Sequence, residues 1–138
     1  MTAIVITVKD RTPELLQKLD AAIGRFVVKG AAYIEGEVKS SMAEAKTGRA
    51  YRRGKGSTHI ASAPGESPAI DSSNLVGSIE TIISANRLEA KIGTPVEYGH
   101  YLETGTENME ARPVWEPEAR EALPTLERML KAEIRRVR

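Results

Sequence analysis

The chain has 138 residues, of which 41% are hydrophobic and 28% charged, a composition typical of one globular domain and not of a disordered chain. It has no cysteine and no apolar run near the roughly 20 residues that span a bilayer, which excludes disulfide frameworks, thiolate metal sites and transmembrane helices. Its 20 basic and 19 acidic residues leave a net charge of +1, which argues against a dedicated duplex-binding domain with its large basic excess.

The N-terminal third predicts a strand followed by one long helix. Alternating β-branched residues over 3–9 are typical of a strand. Thr12 and Pro13 are residue types of a helix N-cap and first turn, and apolar residues then recur every three or four positions as far as Met42. This pattern predicts a helix over 13–46, about 50 Å long at about 1.5 Å per residue. Such a helix either bends at a glycine or projects beyond its own domain, where another copy would cover it.

Residues 47–73 predict a long loop, because they are rich in Gly, Ser, Thr and Pro and lack apolar periodicity. Loops of this length are uncommon in compact domains and are usually functional or ordered by a partner. The segment 46–64 has five Lys or Arg and no acid. The candidate interaction residues in it are Arg49, Tyr51, Arg52, Arg53, Lys55 and His59. These residues could dock on a protein, contact phosphates or remain a solvated surface, and the sequence leaves all three open.

The remaining segments predict a hairpin and two helices. Their patterns indicate a β-hairpin over 78–93, a short helix over 96–104 and a C-terminal helix over 116–137. Pro124 predicts a kink or a break in the last helix. Together the elements predict a single α+β domain over 1–138, with a small antiparallel sheet packed against a long N-terminal helix and a C-terminal helix, and with a long central loop.

No catalytic or metal-binding constellation stands out. The Gly-Lys-Gly-Ser-Thr run at 54–58 lacks the glycine spacing of a phosphate-binding loop and follows a helix. The histidines, His59 and His100, have no partners at spacings that single out a catalytic triad. His100 with Glu103 is a weak signal for a metal site. We therefore predict a protein that is not an enzyme and that needs no cofactor or metal.

The second half carries an ordered series of short motifs. They are Gly48-Arg49-x-Tyr51, His59-Ile60-Ala61-Ser62-Ala63-Pro64-Gly65-Glu66-Ser67-Pro68, Asp71-Ser72-Ser73-Asn74-Leu75, Tyr98-Gly99-His100-Tyr101-Leu102-Glu103-Thr104-Gly105-Thr106 and Met109-x-Ala111-Arg112-Pro113. This order, over about residues 48–120, resembles the tail-completion (head–tail joining) proteins of long-tailed DNA phages of the HK-ninety-seven type. The motif positions are Ser62, Pro64, Gly65, Pro68, Leu75, Tyr98, Leu102, Glu103, Gly105, Thr106, Arg112, Pro113 and Trp115. Ser73 departs from the glycine that usually precedes the Asn-Leu step in the family.

The resemblance implies a non-enzymatic protein of the virion neck, made in the host bacterial cytoplasm by a phage or an integrated prophage. Such proteins assemble as rings, with six or twelve copies as the expected numbers, between the head connector and the tail tube. The implied partners are copies of the same chain, the head connector or stopper, and the tail terminator or tail tube, with non-specific contact to channel DNA also open. The alternative from the residues themselves is a nucleic-acid-binding module that uses the basic loop 49–59.

Charge is segregated along the chain in a way that fits a ring. Residues 97–121 contain seven Glu and two Arg, opposite in sign to the basic loop. Because a ring joins one face of a copy to a different face of the next, we expect the basic loop to meet this Glu-rich region of its neighbour. Arg112, before Pro113, is expected to cap or to pair with an acid such as Glu103 and not to contact DNA.

Overall fold

The computed structural model of the chain describes residues 5, 7 and 9–137. The elements in chain order are α1 (Thr12–Ala43), β1 (Ala50–Arg52), a 3-10 turn (Gly54–Gly56), β2 (Thr58–Ile60), α2 (Asn74–Ser78), β3 (Glu80–Ile83), β4 (Ala90–Gly93), α3 (Glu97–Thr104) and α4 (Trp115–Arg135). The predicted α+β class, with its long N-terminal and C-terminal helices, is confirmed. Within the described part of the chain, β1–β2 and β3–β4 form two separate antiparallel sheets and not one. The strand predicted over 3–9 lies largely outside the described residues.

Helix α1 is continuous over 32 residues, about 48 Å, although its sequence contains three glycines. Its first turn contains Pro13, and the carboxylate of Asp10 accepts a hydrogen bond from the Thr12 amide at 2.9 Å. Gly24 and Gly30 are buried where other segments approach the helix closely. A Cβ at Gly30 would lie 3.1 Å from the Leu126 side chain of α4. These glycines serve helix packing, and the helix does not end at them.

The hydrophobic core is small and lies at the C-terminal end of α1. Val38 and Met42 are buried there against Ile79 and Val114. The partly buried side chains around this cluster are Ile34, Ile70, Leu75, Val76, Ile92 and Trp115. No helix in the described part of the chain is long and apolar enough to cross a membrane.

Helix α4 packs along α1 and is held there by one buried carboxylate. Glu133 is 3% exposed, and its oxygens lie 2.8 Å from Arg25 Nε and 2.5 Å from Lys29 Nζ. Arg136 of the same C-terminal segment lies 3.5 Å from the carboxylate. Pro124 lies within the assigned helix, which therefore runs past the proline without a break.

The β3–β4 hairpin packs on α1, with Thr81 donating a hydrogen bond to Glu35. Its register pairs Glu80 with Gly93 and Ile83 with Ala90. The two strands cover only part of the hairpin predicted over 78–93, because residues 84–89 form the connection between them. The Asn86 side chain organises that connection by accepting hydrogen bonds from the Leu88 amide and from Ser84 Oγ.

The prediction that residues 47–73 are an irregular loop is wrong for its first half. Strands β1 and β2 form a second hairpin, with Ala50 opposite Ile60 and Arg52 opposite Thr58. The turn between them has Lys55 and Gly56 at positive φ. The strands are three residues each, too short for period-two alternation to be recognised in the sequence.

Candidate functional site

The basic hairpin, defined as residues 49–60, extends from the body of the protein and is almost entirely exposed. Every residue of β1 is exposed, and β1 and β2 pack mainly against each other. Tyr51 and Ile60 leave 48% of their surfaces open to solvent. An isolated two-stranded hairpin is only marginally stable in water. The stability of this hairpin therefore depends on its attachment to the rest of the protein and on any partner that covers it.

The cations of the basic hairpin are of two kinds. Arg53 forms an ion pair with Asp71, and the Arg49 guanidinium lies 5.4 Å from the centre of the Tyr51 ring. Arg52 and Lys55 are exposed and have no hydrogen-bond or ion-pair partner within the described structure. Two positive charges are therefore available to an external partner.

His59, the last of the predicted interaction residues, differs from the others. Its side chain is 18% exposed and Nδ1 lies 3.9 Å from Asp71 Oδ1. It faces Tyr51 across the hairpin, in register. This position fits a role in holding the hairpin to the 68–73 segment and gives His59 little access to a partner.

The base of the basic hairpin is fixed by Gly48 and Glu66. The Gly48 amide donates to the Ala61 carbonyl at 3.0 Å, and a Cβ at Gly48 would collide with the backbone of Ala61 and Ser62. The Glu66 carboxylate accepts hydrogen bonds from Thr47 Oγ1 at 2.5 Å and from the Ala63 amide at 2.8 Å. These bonds, led by that from the Thr47 hydroxyl, lower the pKa of Glu66. The Glu66 carboxylate thus connects the segment before the hairpin to the segment after it.

The motif residues Glu103, Gly105 and Arg112 converge with Ser62 in what we call the motif joint. The Glu103 carboxylate accepts three backbone hydrogen bonds at the start of α4, from Val114 at 2.7 Å, Trp115 at 3.2 Å and Glu116 at 3.1 Å. It therefore acts as an N-cap supplied by α3, and it satisfies amides that have no partner inside the helix. Because Glu103 is occupied inside its own chain, it does not belong to the predicted intermolecular acidic face.

Arg112 also acts inside the motif joint, but not with the predicted partner. Its Nε donates to the Ser62 carbonyl at 3.0 Å and its Nη1 to the Glu110 carbonyl at 2.9 Å, whereas Glu103 is engaged with α4. The structural role expected for Arg112 fits these contacts, and pairing with Glu103 is wrong.

The turn at Gly105 completes the motif joint. Its φ of 77° suits glycine, and a Cβ there would lie 2.9 Å from the Met109 carbonyl. Thr106 pairs with Met109 in an isolated bridge. The Gly65 amide donates to the Ala111 carbonyl at 3.0 Å, which connects the turn region to the base of the basic hairpin.

The other motif positions have separate surroundings. Leu75 and Trp115 pack on the core, whereas Tyr98 is 43% exposed on α3. A shallow depression is lined by several of them together with His59. Those motif positions are Ser62, Pro68, Leu75, Tyr98, Leu102 and Arg112. Pro113 lines a different groove, which is acidic, and Pro64 is exposed.

The acidic groove, defined by Glu37, Glu44, Glu118 and Glu121, lies between the C-terminal end of α1 and the start of α4. Its volume is about 370 Å³, and none of these four carboxylates has an ion-pair partner within the described structure. The only cation in its lining, Lys46, is bound to Ser41 and Ser67. Sequence reasoning missed Glu37, on α1, and Glu44, directly after it, because both are far in the chain from the Glu-rich segment.

The accessible surface of the chain is large for its mass. It measures 10118 Å², whereas a compact monomer of 15.1 kDa exposes about 7,100 Å². Exposed apolar side chains occur on several helices and strands. Examples are Leu16 of α1, Ile82 of β3, Tyr101 of α3 and Leu123 of α4. The chain therefore offers more contact surface than a self-sufficient monomer of this size.

The described residues hold no group of three or more His, Asp or Glu side chains placed to bind a metal ion. The arrangement presents a positively charged hairpin and a negatively charged groove, which are connected through Glu66. Comparison of the chain with protein-family models, with curated proteins and with solved structures finds no match.

Proposed function

We propose that this protein is a structural component of the head–tail junction of a long-tailed DNA phage or prophage. In this role copies of the chain assemble into a ring between the head connector and the tail tube. The ring contacts the connector or stopper on one side and the tail terminator or tube on the other. The protein acts by binding, with no chemical step, and is located in the neck of the virion.

The observation that carries this proposal is the large accessible surface. The excess over a compact monomer is about 3,000 Å², and a standard protein interface covers about 800 Å² on each partner. A subunit within a ring has two such faces, so the excess is sufficient for both and for contacts to the layers above and below. Such an excess of accessible surface is typical of a subunit whose interfaces are covered by neighbouring subunits.

The choice of assembly is supported by the resemblance of the motifs over 48–120 and by the way they fold. Glu103, Gly105 and Arg112 fix α3, α4 and the base of the basic hairpin relative to one another. They do so through backbone hydrogen bonds, a structural use that needs no substrate. A rigid joint that presents a hairpin is what a ring subunit needs to meet its neighbour at a fixed angle.

The proposal is tested by deleting the gene from its source phage or prophage and examining the particles by electron microscopy. We expect filled heads and separate, finished tails, and we expect joined infectious particles to return when the gene is supplied in trans. A variant with Glu107 changed to Ala is a suitable positive control for complementation, because the Glu107 side chain is exposed and takes no part in the hydrogen bonds of the motif joint. Normal joined particles without the gene would contradict the proposal.

The alternative function, nucleic-acid binding, has one observation in its favour, namely that Arg52 and Lys55 are exposed and unpaired next to Tyr51. Phosphate contacts by two cations would give weak binding with a shallow salt dependence. Micromolar or tighter binding to DNA at low salt, lost when both residues are changed to Ala, would favour this alternative.

A further inference from the structure

We propose that the basic hairpin of one copy docks in the acidic groove of the next copy, and that this contact repeats around the assembly. The inference rests on the proposed assembly and names the two surfaces that join its subunits. Arg52 and Lys55 would lie against Glu118 and Glu121.

The hairpin is the projecting half of this contact. Its two unpaired cations lie on an element that adds little to the core of its own chain. Arginine is enriched in protein interfaces and among the residues that contribute most to binding. The base is fixed by Gly48 and Glu66, so that the hairpin is held in one orientation before it meets a partner.

The groove is the receiving half, with charge of the opposite sign. Four carboxylates without an ion-pair partner in the described part of the chain line one groove, so a cationic partner would meet charge of the opposite sign there. The walls of the groove include Pro113 and Pro117, which offer apolar surface to the aliphatic stem of an arginine or lysine side chain. Glu66 lines the groove and also closes the base of the basic hairpin, so the two surfaces are connected through that residue.

The partner is a second copy because one chain carries both charge sets and cannot neutralise one with the other. No residue of the basic hairpin lines the acidic groove, and Arg53 holds the hairpin toward Asp71 on the 68–73 segment. Hairpin and groove are different surfaces, so the contact is heterologous and generates a ring or an open chain of subunits, not a closed pair. The net charge of +1 fits such self-complementarity.

The test uses two charge-reversed variants, R52E/K55E in the hairpin and E118K/E121K in the groove. Each alone should weaken self-association by about tenfold at low salt, as measured by sedimentation, because matched charges become like charges. The difference should shrink in about 1 M salt, where the screening length is about 3 Å. An equimolar mixture should recover wild-type association, since alternating copies match at every contact.

The matched controls are R128E/K131E on α4 and E80K/E89K on the β3–β4 hairpin, which change the same charges at exposed positions away from both surfaces. These controls should associate like the wild type. Hairpin and groove variants that also associate like the wild type, or a mixture that recovers nothing, would overturn the pairing.

Covalent cross-linking extends the test to weak association. The chain has no cysteine, so K55C/E121C carries the only thiols. A short bis-maleimide should convert the concentrated protein into a ladder of multimers, whereas K55C/K131C should give only background. A ladder no stronger than that control would overturn the pairing.

Failure of the pairing is distinguishable from failure of the proposed function. Suppose that the R52E/K55E variant, supplied to the deletion phage, still supports joining of heads to tails, and that K55C/E121C gives no cross-linked ladder. The pairing is then wrong and the neck function stands. If particles are joined without the gene, the neck function is wrong whatever the ladder shows.

Discussion

Three glutamates connect segments that are distant in the sequence. Glu103 connects α3 to the start of α4, Glu66 closes the base of the basic hairpin, and Glu133 joins α4 to Arg25 and Lys29 of α1. Each carboxylate accepts two or more charge-assisted hydrogen bonds, which are about twice as strong as those between neutral groups. Because the hydrophobic core is small, we expect these contacts to contribute a large share of the free energy of unfolding.

Changing Glu103 to Ala should destabilise the protein by about 1–3 kcal/mol, because the amides of Val114, Trp115 and Glu116 lose their acceptor. Urea unfolding followed by circular dichroism measures the change. Glu103→Gln keeps one oxygen acceptor and should lose less. Glu107→Ala, at an exposed position nearby, should have no effect, and an equal loss in this control would contradict the capping role.

Glu133 should make stability depend on pH in the acid range. Hydrogen bonds from Lys29 and then Arg25 lower its pKa from 4.5 to about 2. Because the folded-state pKa lies below the unfolded one, this stabilisation is present above pH 4.5 and is lost as pH falls toward 2. Glu133→Gln should therefore be less stable than the wild type at pH 7, and the two proteins should converge near pH 2.

Urea midpoints across this pH range measure the effect of Glu133. The control is Glu127→Gln, an exposed partner of Lys131 on α4, whose stability should follow the wild type at every pH. A constant difference between wild type and Glu133→Gln from pH 7 to pH 2 would show that the Glu133 contacts do not titrate as the structure indicates.

At the scale of elements, α1 uses its glycines in two different ways. Gly30 faces Leu126 at a distance that leaves little room for a Cβ, whereas a Cβ at Gly36 would meet nothing within 4 Å. Helix packing therefore accounts for Gly30. The structure gives no reason for Gly36.

Gly36→Ala should stabilise the protein by about 0.5–1 kcal/mol, because alanine restricts the unfolded chain and favours the helix. Gly30→Ala should gain less or should destabilise, since Leu126 must move to make room. Thermal unfolding of both variants checks this difference. Equal gains would mean that α4 does not pack closely on α1 at Gly30.

At the scale of the whole molecule, the surface of 10118 Å² predicts that stability depends on protein concentration. Association stabilises the folded state by mass action, by about 2.7 kcal/mol when the concentration is about 100 times Kd. The urea midpoint should therefore rise between protein concentrations about a hundredfold apart. The R52E/K55E variant should show a smaller rise than R128E/K131E, and a midpoint independent of concentration in the wild type would contradict self-association.

The sequence by itself determined the features that depend on local pattern. Apolar periodicity predicted α1 and the α+β class, and the cap and proline signals placed the start of α1 within one residue of Thr12. The motif positions include Glu103, Gly105 and Arg112, and the structure brings these three together. The alternating residues of 3–9 stay a prediction, since they lie largely outside the described residues.

Only the tertiary structure decided what each side chain contacts. Strands β1 and β2 were missed because three residues are too few to show period two, and their pairing depends on the anchor at Gly48. By sequence, Glu103 belongs to the same Glu-rich segment as Glu118 and Glu121. In the folded chain Glu103 binds the start of α4, whereas Glu118 and Glu121 line a groove together with Glu37 of α1. The physical reason is that periodicity and charge are properties of neighbours along the chain, whereas a groove or a cap is made by residues that only folding brings together.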